Sequence, residues 1–155
     1  MYEVVSLFDI ERWLPFLLAK SHQMTFNLMK NAVEPYGLTP PQFATLSFLW
    51  KCDGINQQQL GCLMSVDRTT IGGIVERLEK LEYVMRGNDP EDRRSWVVNV
   101  TAKGKSLKEE VLKDLDNVTE AIDSKLTEEE QVQLTAILKK LRGRKNNQNC
   151  EEVIK

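Results

Sequence analysis

INQQQLGCLMSVDRTTIGGIVERLEKLEYVMRGNDPEDRRSWVVNVT, residues 55–101, reads as a short helix, a turn, a second helix and a two-stranded hairpin with a charged tip. The second helix carries the reading. Ile71, Ile74, Val75, Leu78 and Leu81 recur at helical spacing and share one apolar face. The opposite face holds Thr69, Gly72, Gly73 and Glu76, with Arg68 and Thr70 flanking it at the N-terminal end. That face has almost no bulk. A glycine inside a helix costs about 1 kcal/mol relative to alanine, so two of them suggest that something large comes close to the backbone. A DNA major groove fits, because it admits a helix whose short hydroxyl or basic side chains read base edges. Packing of a neighbouring helix against the glycines accounts for them equally well.

The hairpin favours the groove. Val84–Arg86 is a short strand, and in Ser95–Val100 the residues Trp96, Val98 and Val100 alternate with Val97 and Asn99. The loop between them, GNDPEDRR at 87–94, ends in Arg93 and Arg94. Arginines at the tip of such a wing suit a narrow minor groove, where the negative potential is enhanced. Asp92 is placed to orient the Arg94 guanidinium, since arginine–carboxylate pairs are often bidentate. A solvated charged loop is the plain alternative.

Taken in order, these pieces resemble the MarR family of winged-helix transcription regulators. The family's wing carries Asp-x-Arg, a short strand and then Leu/Val-Thr-x-x-Gly; Asp92, Arg94, Val100, Thr101 and Gly104 stand at those places. Upstream, GLTPPQFATLSFL at Gly37–Leu49 is similar to the family's entry into its second helix. The resemblance covers roughly residues 14–142. It implies a mainly α fold with a small β-wing: a winged helix-turn-helix at about residues 37–100, flanked by dimerisation helices at about 10–34 and 101–142.

The rest of the chain bounds the reading. Its 155 residues suit a single domain, with 28% charged and 41% hydrophobic residues. No apolar run approaches the ~20 residues that span a bilayer. The N-terminal MYEVVSLFDIERW has no basic stretch of the kind that opens a signal peptide. Cys52, Cys62 and Cys150 are odd in number and lack metal-ligand spacing, which fits reduced thiols and a cytoplasmic location. His22 is the only histidine, so neither a metal centre nor a Ser-His-Asp triad has much to build on. No catalytic residue, metal or cofactor is expected. Between Ile55 and Gly104, seven basic residues meet seven acidic ones. DNA binding must then come from placement of charge rather than from bulk charge.

Outside the winged helix, Pro15 suits the first turn of a helix over Leu14–Val33. On it, Phe16, Leu17, Lys20, Met24, Leu28 and Val33 form one broad face. Thr39 and Asn56 each suit a helix N-cap, and Ser65 or Asp67 caps the second helix of the core motif. Thr101 opens a long helix whose Leu107, Val111, Leu115, Val118 and Ile122 make a coiled-coil stripe. Thr127–Glu130 is a capping box that opens the last helix.

These flanking helices carry more apolar surface than a lone winged helix can bury. The resemblance implies that two copies interlock there as a homodimer that reads a pseudo-palindromic operator in double-stranded DNA. It implies further a ligand-responsive repressor, with a crevice for a small aromatic or phenolic effector. Phe16, Lys20, Phe43 and Trp50 are the candidates to line that crevice. Two other readings are a winged-helix protein-interaction module without DNA binding and a cysteine redox-sensing regulator. The peroxide-sensing branch of the family carries a reactive cysteine near the start of its first helix, and this chain has none there.

Overall fold

The structure, a computed structural model, describes residues 9–90 and 95–143. After a 3-10 turn at Ile10–Arg12 the chain forms α1 (Leu14–Val33), α2 (Pro40–Lys51), β1 (Ile55–Asn56), α3 (Gln57–Met64) and α4 (Arg68–Lys80). The hairpin β2 (Val84–Asn88) and β3 (Trp96–Val100) follows, then α5 (Ala102–Asp123) and α6 (Glu128–Arg142). The boundaries follow local chemistry. A second 3-10 turn, Glu34–Tyr36, ends α1, and Gly37 at φ 70° reverses the chain, a conformation glycine adopts without steric cost. At α2 the Gln42 side chain accepts from the Thr39 N–H at 2.9 Å. At α3, Asn56 and Gln59 exchange bonds of 3.1 and 2.8 Å. Thr101 caps α5 through Gly104 N, and Thr127 caps α6 through Glu130 N. Of the two caps open for α4, Asp67 is the one used, while Ser65 is the left-handed residue that ends α3 at φ 56°.

Leu46 and Leu49 of α2, Ile55, Leu60 of α3, Ile71, Val75 and Leu78 of α4, and Val98 of β3 are fully buried together. Each such side chain contributes about 1.5–3 kcal/mol of transfer free energy. Val33 and Val111 bring the end of α1 and the first half of α5 into the same core.

Three expectations change. The hairpin is part of a three-stranded antiparallel sheet in the order β1-β3-β2, with Ile55 opposite Val98 and Asn56 opposite Val97. A two-residue strand is too short to alternate, so periodicity cannot reveal it. Trp96 does not share the inward fate of Val98 and Val100: it is 59% exposed, while Val97 on the other side of the strand is buried. Val97 sits mid-sheet between Asn56 and Gly87, whereas Trp96 lies at the open end opposite Asn88. Finally, Leu107 and Val111, expected in the intersubunit stripe, are buried in the protomer's own core, with Leu115 packed against it and Val118 and Ile122 half-buried. A heptad stripe shows that a face is buried but not which surface buries it.

The outward apolar surface lies elsewhere. Of the broad face expected on α1, only Val33 is buried; Leu14 is 57% exposed, and Leu17 and Met24 are exposed too. On α6, Val132, Leu134, Ile137, Leu138 and Leu141 are all exposed, and the helix buries nothing.

The root of the hairpin is the tightest joint in the fold. Glu82 turns the chain at φ 63°, and its carbonyl accepts from the Thr101 hydroxyl at 2.6 Å. The Tyr83 carbonyl accepts from Thr101 N at 3.0 Å, and Lys103 closes on Glu82 at 3.1 Å. Gly104 stands so close that a Cβ there would fall on the Tyr83 carbonyl oxygen and within 2.8 Å of Val100. Neither backbone can give way without opening the sheet, so Gly104→Ala is expected to cost at least the upper part of the ~1–3 kcal/mol typical of overpacking. A thermal melt followed by circular dichroism should show a midpoint several degrees below wild type; an unchanged midpoint would contradict the close approach.

Candidate nucleic-acid interface

Arg68, Thr69 and Thr70 occupy the first turn of α4, and all three are exposed. The turn is aimed by its two ends. On its inner side Ile71, Val75 and Leu78 are anchored in the core. On its N-terminal side the Asp67 carboxylate accepts from Thr70 N at 2.7 Å. That bond, with a second from the Thr70 side chain, holds the Asp67 carboxyl below its ordinary value. Gly61 of α3 lets α4 approach closely, since a Cβ there would meet the Val66 carbonyl at 3.2 Å and Ile71 at 3.3 Å.

The two glycines of the outer face have different neighbours. A Cβ on Gly73 would meet nothing within 4 Å, so its surface is open. A Cβ on Gly72 would stand 3.0 Å from Nε2 of Gln57. Gly72 thus has a neighbour packed over it, whereas Gly73 faces open space. Further along the same helix, Glu76 pairs with Lys80 at 2.8 Å, and that bond to Lys80 lowers its pKa. Glu79 accepts from both the backbone and the guanidinium of Arg86, at 3.2 and 3.0 Å. These two carboxylates are thus partly neutralised by neighbours.

Arg68 and Ile71 also line a cleft of about 550 Å³ between α3, α4 and the start of β3. Asn56, Gln57, Gln58, Gly61, Cys62, Val66, Ser95 and Trp96 complete it. Gln57 and Trp96 are the residues that sequence reasoning missed. Trp96 looked like a core position by alternation, and nothing in a run of three glutamines singles out the first. Asp92, Arg93 and Arg94 lie outside the described residues.

The four candidates for a ligand crevice fall into two pairs. The Lys20 ammonium stands 5.7 Å from the Phe16 ring. Phe43 and Trp50 meet edge-on at 6.1 Å, and Trp50 Nε1 donates to the Gly104 carbonyl at 2.9 Å. Phe16 and Lys20 share a shallow groove of about 330 Å³ on α1 with His22, Gln23 and Phe26. Phe43 and Trp50 pack against the core of the winged helix. Between these regions the Tyr36 hydroxyl donates to Asp114 of α5 at 2.7 Å. That bond to a carboxylate, with burial, pushes the Tyr36 pKa up to about 12. Tyr83 in turn donates to the Tyr36 carbonyl at 2.9 Å.

Among the described residues no group of three or more His, Cys, Asp or Glu is arranged to hold a metal ion. None of the helices described is long and apolar enough to cross a membrane. Cys52 is a free thiol. Cys62 is disulfide-bonded, so the expectation of reduced thiols throughout does not hold there.

Residues 38–96 match the family model described as MarR family. The HTH-type transcriptional repressor NicR of Pseudomonas putida is 33% identical over 135 residues, covering 86% of this chain and 85% of NicR. A crystal structure of a probable transcriptional regulator from Pseudomonas aeruginosa superposes with a TM-score of 0.80 at 32% identity, covering 86% of this chain and 99% of that one. The fold is also that of the transcriptional repressor CouR bound to a 23-mer DNA duplex, with a TM-score of 0.81 at 23% identity over 86% of this chain and 95% of CouR.

The Asp67 cap gives a pH signature. Its folded-state pKa is lowered, so the stabilisation is complete above the ordinary aspartate value and fades as pH falls through the lower, folded one. Asp67→Ala should melt below wild type at neutral pH, and the gap should narrow in strong acid. Paired melts at the two conditions check this, and a gap that stays constant in acid would count against the cap.

Proposed function

The chain belongs to the MarR family of transcription regulators, and from that premise we propose that it acts as a homodimeric, ligand-responsive repressor reading a pseudo-palindromic operator. The observation that carries the reading is the outer face of α4. Arg68, Thr69 and Thr70 are exposed on a turn held from both ends, and Gly73 beside them is bare. This is the shape a helix needs to reach base edges in a major groove. The repressor named NicR supports the same reading. In it, Arg68, Thr69 and Thr70 meet DNA through their side chains, and Gly73 gives the backbone close approach. Arg94 enters the minor groove, oriented by Asp92, and Arg93 meets phosphate. Gly72 belongs to the same surface but, given its neighbour, supports the helix instead of admitting the groove.

The second copy covers the exposed apolar residues of α1 and α6. Val118 and Ile122, half-buried on the second half of α5, extend that surface. A two-fold pair of winged helices then meets half-sites about one helical turn apart. The effector is a small aromatic or phenolic acid held between the dimer helices and the winged helix. Phe16 and Lys20 supply a ring and a cation from α1, and Phe43 and Trp50 supply the facing wall. The protein carries no catalytic function in this reading, and its place of work is the cytoplasm, where its DNA is.

Selection of bound duplexes from a random pool should yield an inverted repeat. Against that operator, Gly73→Leu should melt no lower than wild type, because the added side chain meets open space and leucine favours a helix over glycine, and should abolish specific binding. Arg94→Ala should weaken operator binding strongly, while Arg93→Ala should weaken binding to all sequences and flatten the salt slope by about 1. A Gly73→Leu protein that binds its operator like wild type would remove the groove reading. For the dimer, light scattering at micromolar concentration should give twice the 17.8 kDa chain mass, and a stable monomer would refute it.

A further inference from the structure

Gln57 is the first residue of α3, and its side chain leaves that helix to reach the next one. Its Nε2 donates to the Arg68 carbonyl at 3.3 Å. The same nitrogen is the atom that a Cβ on Gly72 would meet at 3.0 Å. These two facts have one cause. Within α4 the Arg68 carbonyl points along the axis at the N–H of Gly72, four residues on. A donor that reaches that carbonyl from outside must therefore pass over residue 72. A Cβ there would force the glutamine amide to shift by a few tenths of an ångström, against a bond already 3.3 Å long. The amide is the flexible end of its side chain, so it yields and the helix does not.

The base of this reach is itself rigid. Asn56 and Gln59 cap one another on either side of Gln57, at 3.1 and 2.8 Å. The acceptor belongs to the residue that opens α4, directly before Thr69 and Thr70. On the inner side, Gly61 and Ile71 hold α3 and α4 together by close apolar contact. Apolar contact sets a distance between helices but leaves rotation about the contact soft. A hydrogen bond on the outer side opposes that rotation.

We propose that Gln57 is a positioning residue for DNA recognition: it straps the first turn of α4 to α3, and residue 72 is glycine to leave room for it. The proposal rests on the reading of α4 as the recognition helix. It assigns Gln57 to sequence discrimination rather than to general affinity. Without the strap α4 remains helical, held by its Asp67 cap and its three buried apolar residues. What is lost is the fixed angle from which Thr69 and Thr70 meet the bases, while contacts to phosphate tolerate the change.

The test uses the full chain as Gln57→Ala, Gln57→Glu, Gly72→Ala and the double variant Gln57→Ala/Gly72→Ala. Glutamate keeps the size but cannot donate to a carbonyl. Each protein is titrated with the selected operator and with a random duplex. Each single variant should lose roughly threefold to tenfold in operator affinity, the range of one net hydrogen bond, with random-duplex affinity changed less than about twofold in Gln57→Ala and Gly72→Ala; the added charge of Gln57→Glu weakens binding to both duplexes, so that variant is read from the ratio of the two affinities. The double variant should be no worse than either single one, because both remove the same bond. Additive losses, or a Gln57→Glu protein with native discrimination, would overturn the strap. A second measurement needs no DNA. The side-chain amide resonances of Gln57 in a 15N correlation spectrum should move to the position of solvent-exposed glutamines in Gly72→Ala. If wild type itself prefers no duplex, the recognition reading is what has failed, and the spectrum alone decides the strap: moved resonances uphold it and unmoved ones overturn it. Thermal melts of the two single Gln57 variants should lie close to wild type, and those of the two proteins carrying Gly72→Ala close to it or above it, because alanine favours a helix over glycine.

Discussion

The contact between Gly104 and the Tyr83 carbonyl is the constraint on which the rest of the structure depends. It leaves no room for a side chain, so the start of α5 and the root of the hairpin move as one piece. Thr101 adds bonds to both Glu82 and Tyr83, and Trp50 ties α2 to the same point through the Gly104 carbonyl. The hairpin, the end of α4 and the long helix α5 therefore share one rigid joint. The Tyr36–Asp114 bond makes a second attachment one turn of chain before α2. Beside the shared core, these two points are hydrogen-bonded routes from α5 to the winged helix.

Much of this architecture was legible in the sequence, and for a physical reason. Helix ends are written in local chemistry: Thr39 with Gln42, Asn56 with Gln59, Thr101 and Thr127 each place a side-chain acceptor where unpaired backbone N–H groups need one. Apolar spacing along α4 was equally legible, because Ile71, Val75 and Leu78 are buried by their own periodicity. What escaped depends on partners distant in sequence. The strand at Ile55–Asn56 exists only because β3 lies beside it. Leu107 and Val111 turned inward because α5 lies against α1 and β3, over the core they share. The difference between Gly72 and Gly73 is set by where α3 places Gln57, which no property of α4 contains. The wing tip, on which the family resemblance leaned most, lies outside the described residues.

Charge follows the same logic. The winged helix is neutral in sum, yet its acids are not spread evenly against its bases. Glu76, Glu79 and Glu82 each lie against a lysine or arginine of their own surroundings. Such exposed pairs contribute little to stability, but each screens a carboxylate that would otherwise repel phosphate. A surface with no net charge can in this way keep a quiet flank behind Arg68, whose charge stands beside the Asp67 carboxylate at the cap.

The bare apolar residues of α1 and α6 carry a consequence for how such a regulator responds to its own abundance. In the proposed dimer Leu14, Leu17, Ile137 and Leu141, exposed on the single protomer, are covered by the second copy, so stability is tied to how many copies are present. Below the concentration at which copies pair, the two-headed species that spans an operator becomes scarce as the square of the protein concentration. Halving the supply of chains then removes three quarters of the dimers in that regime. In the proposed dimer the apolar face thereby sets a threshold: operator binding that needs two copies falls faster than the protein itself.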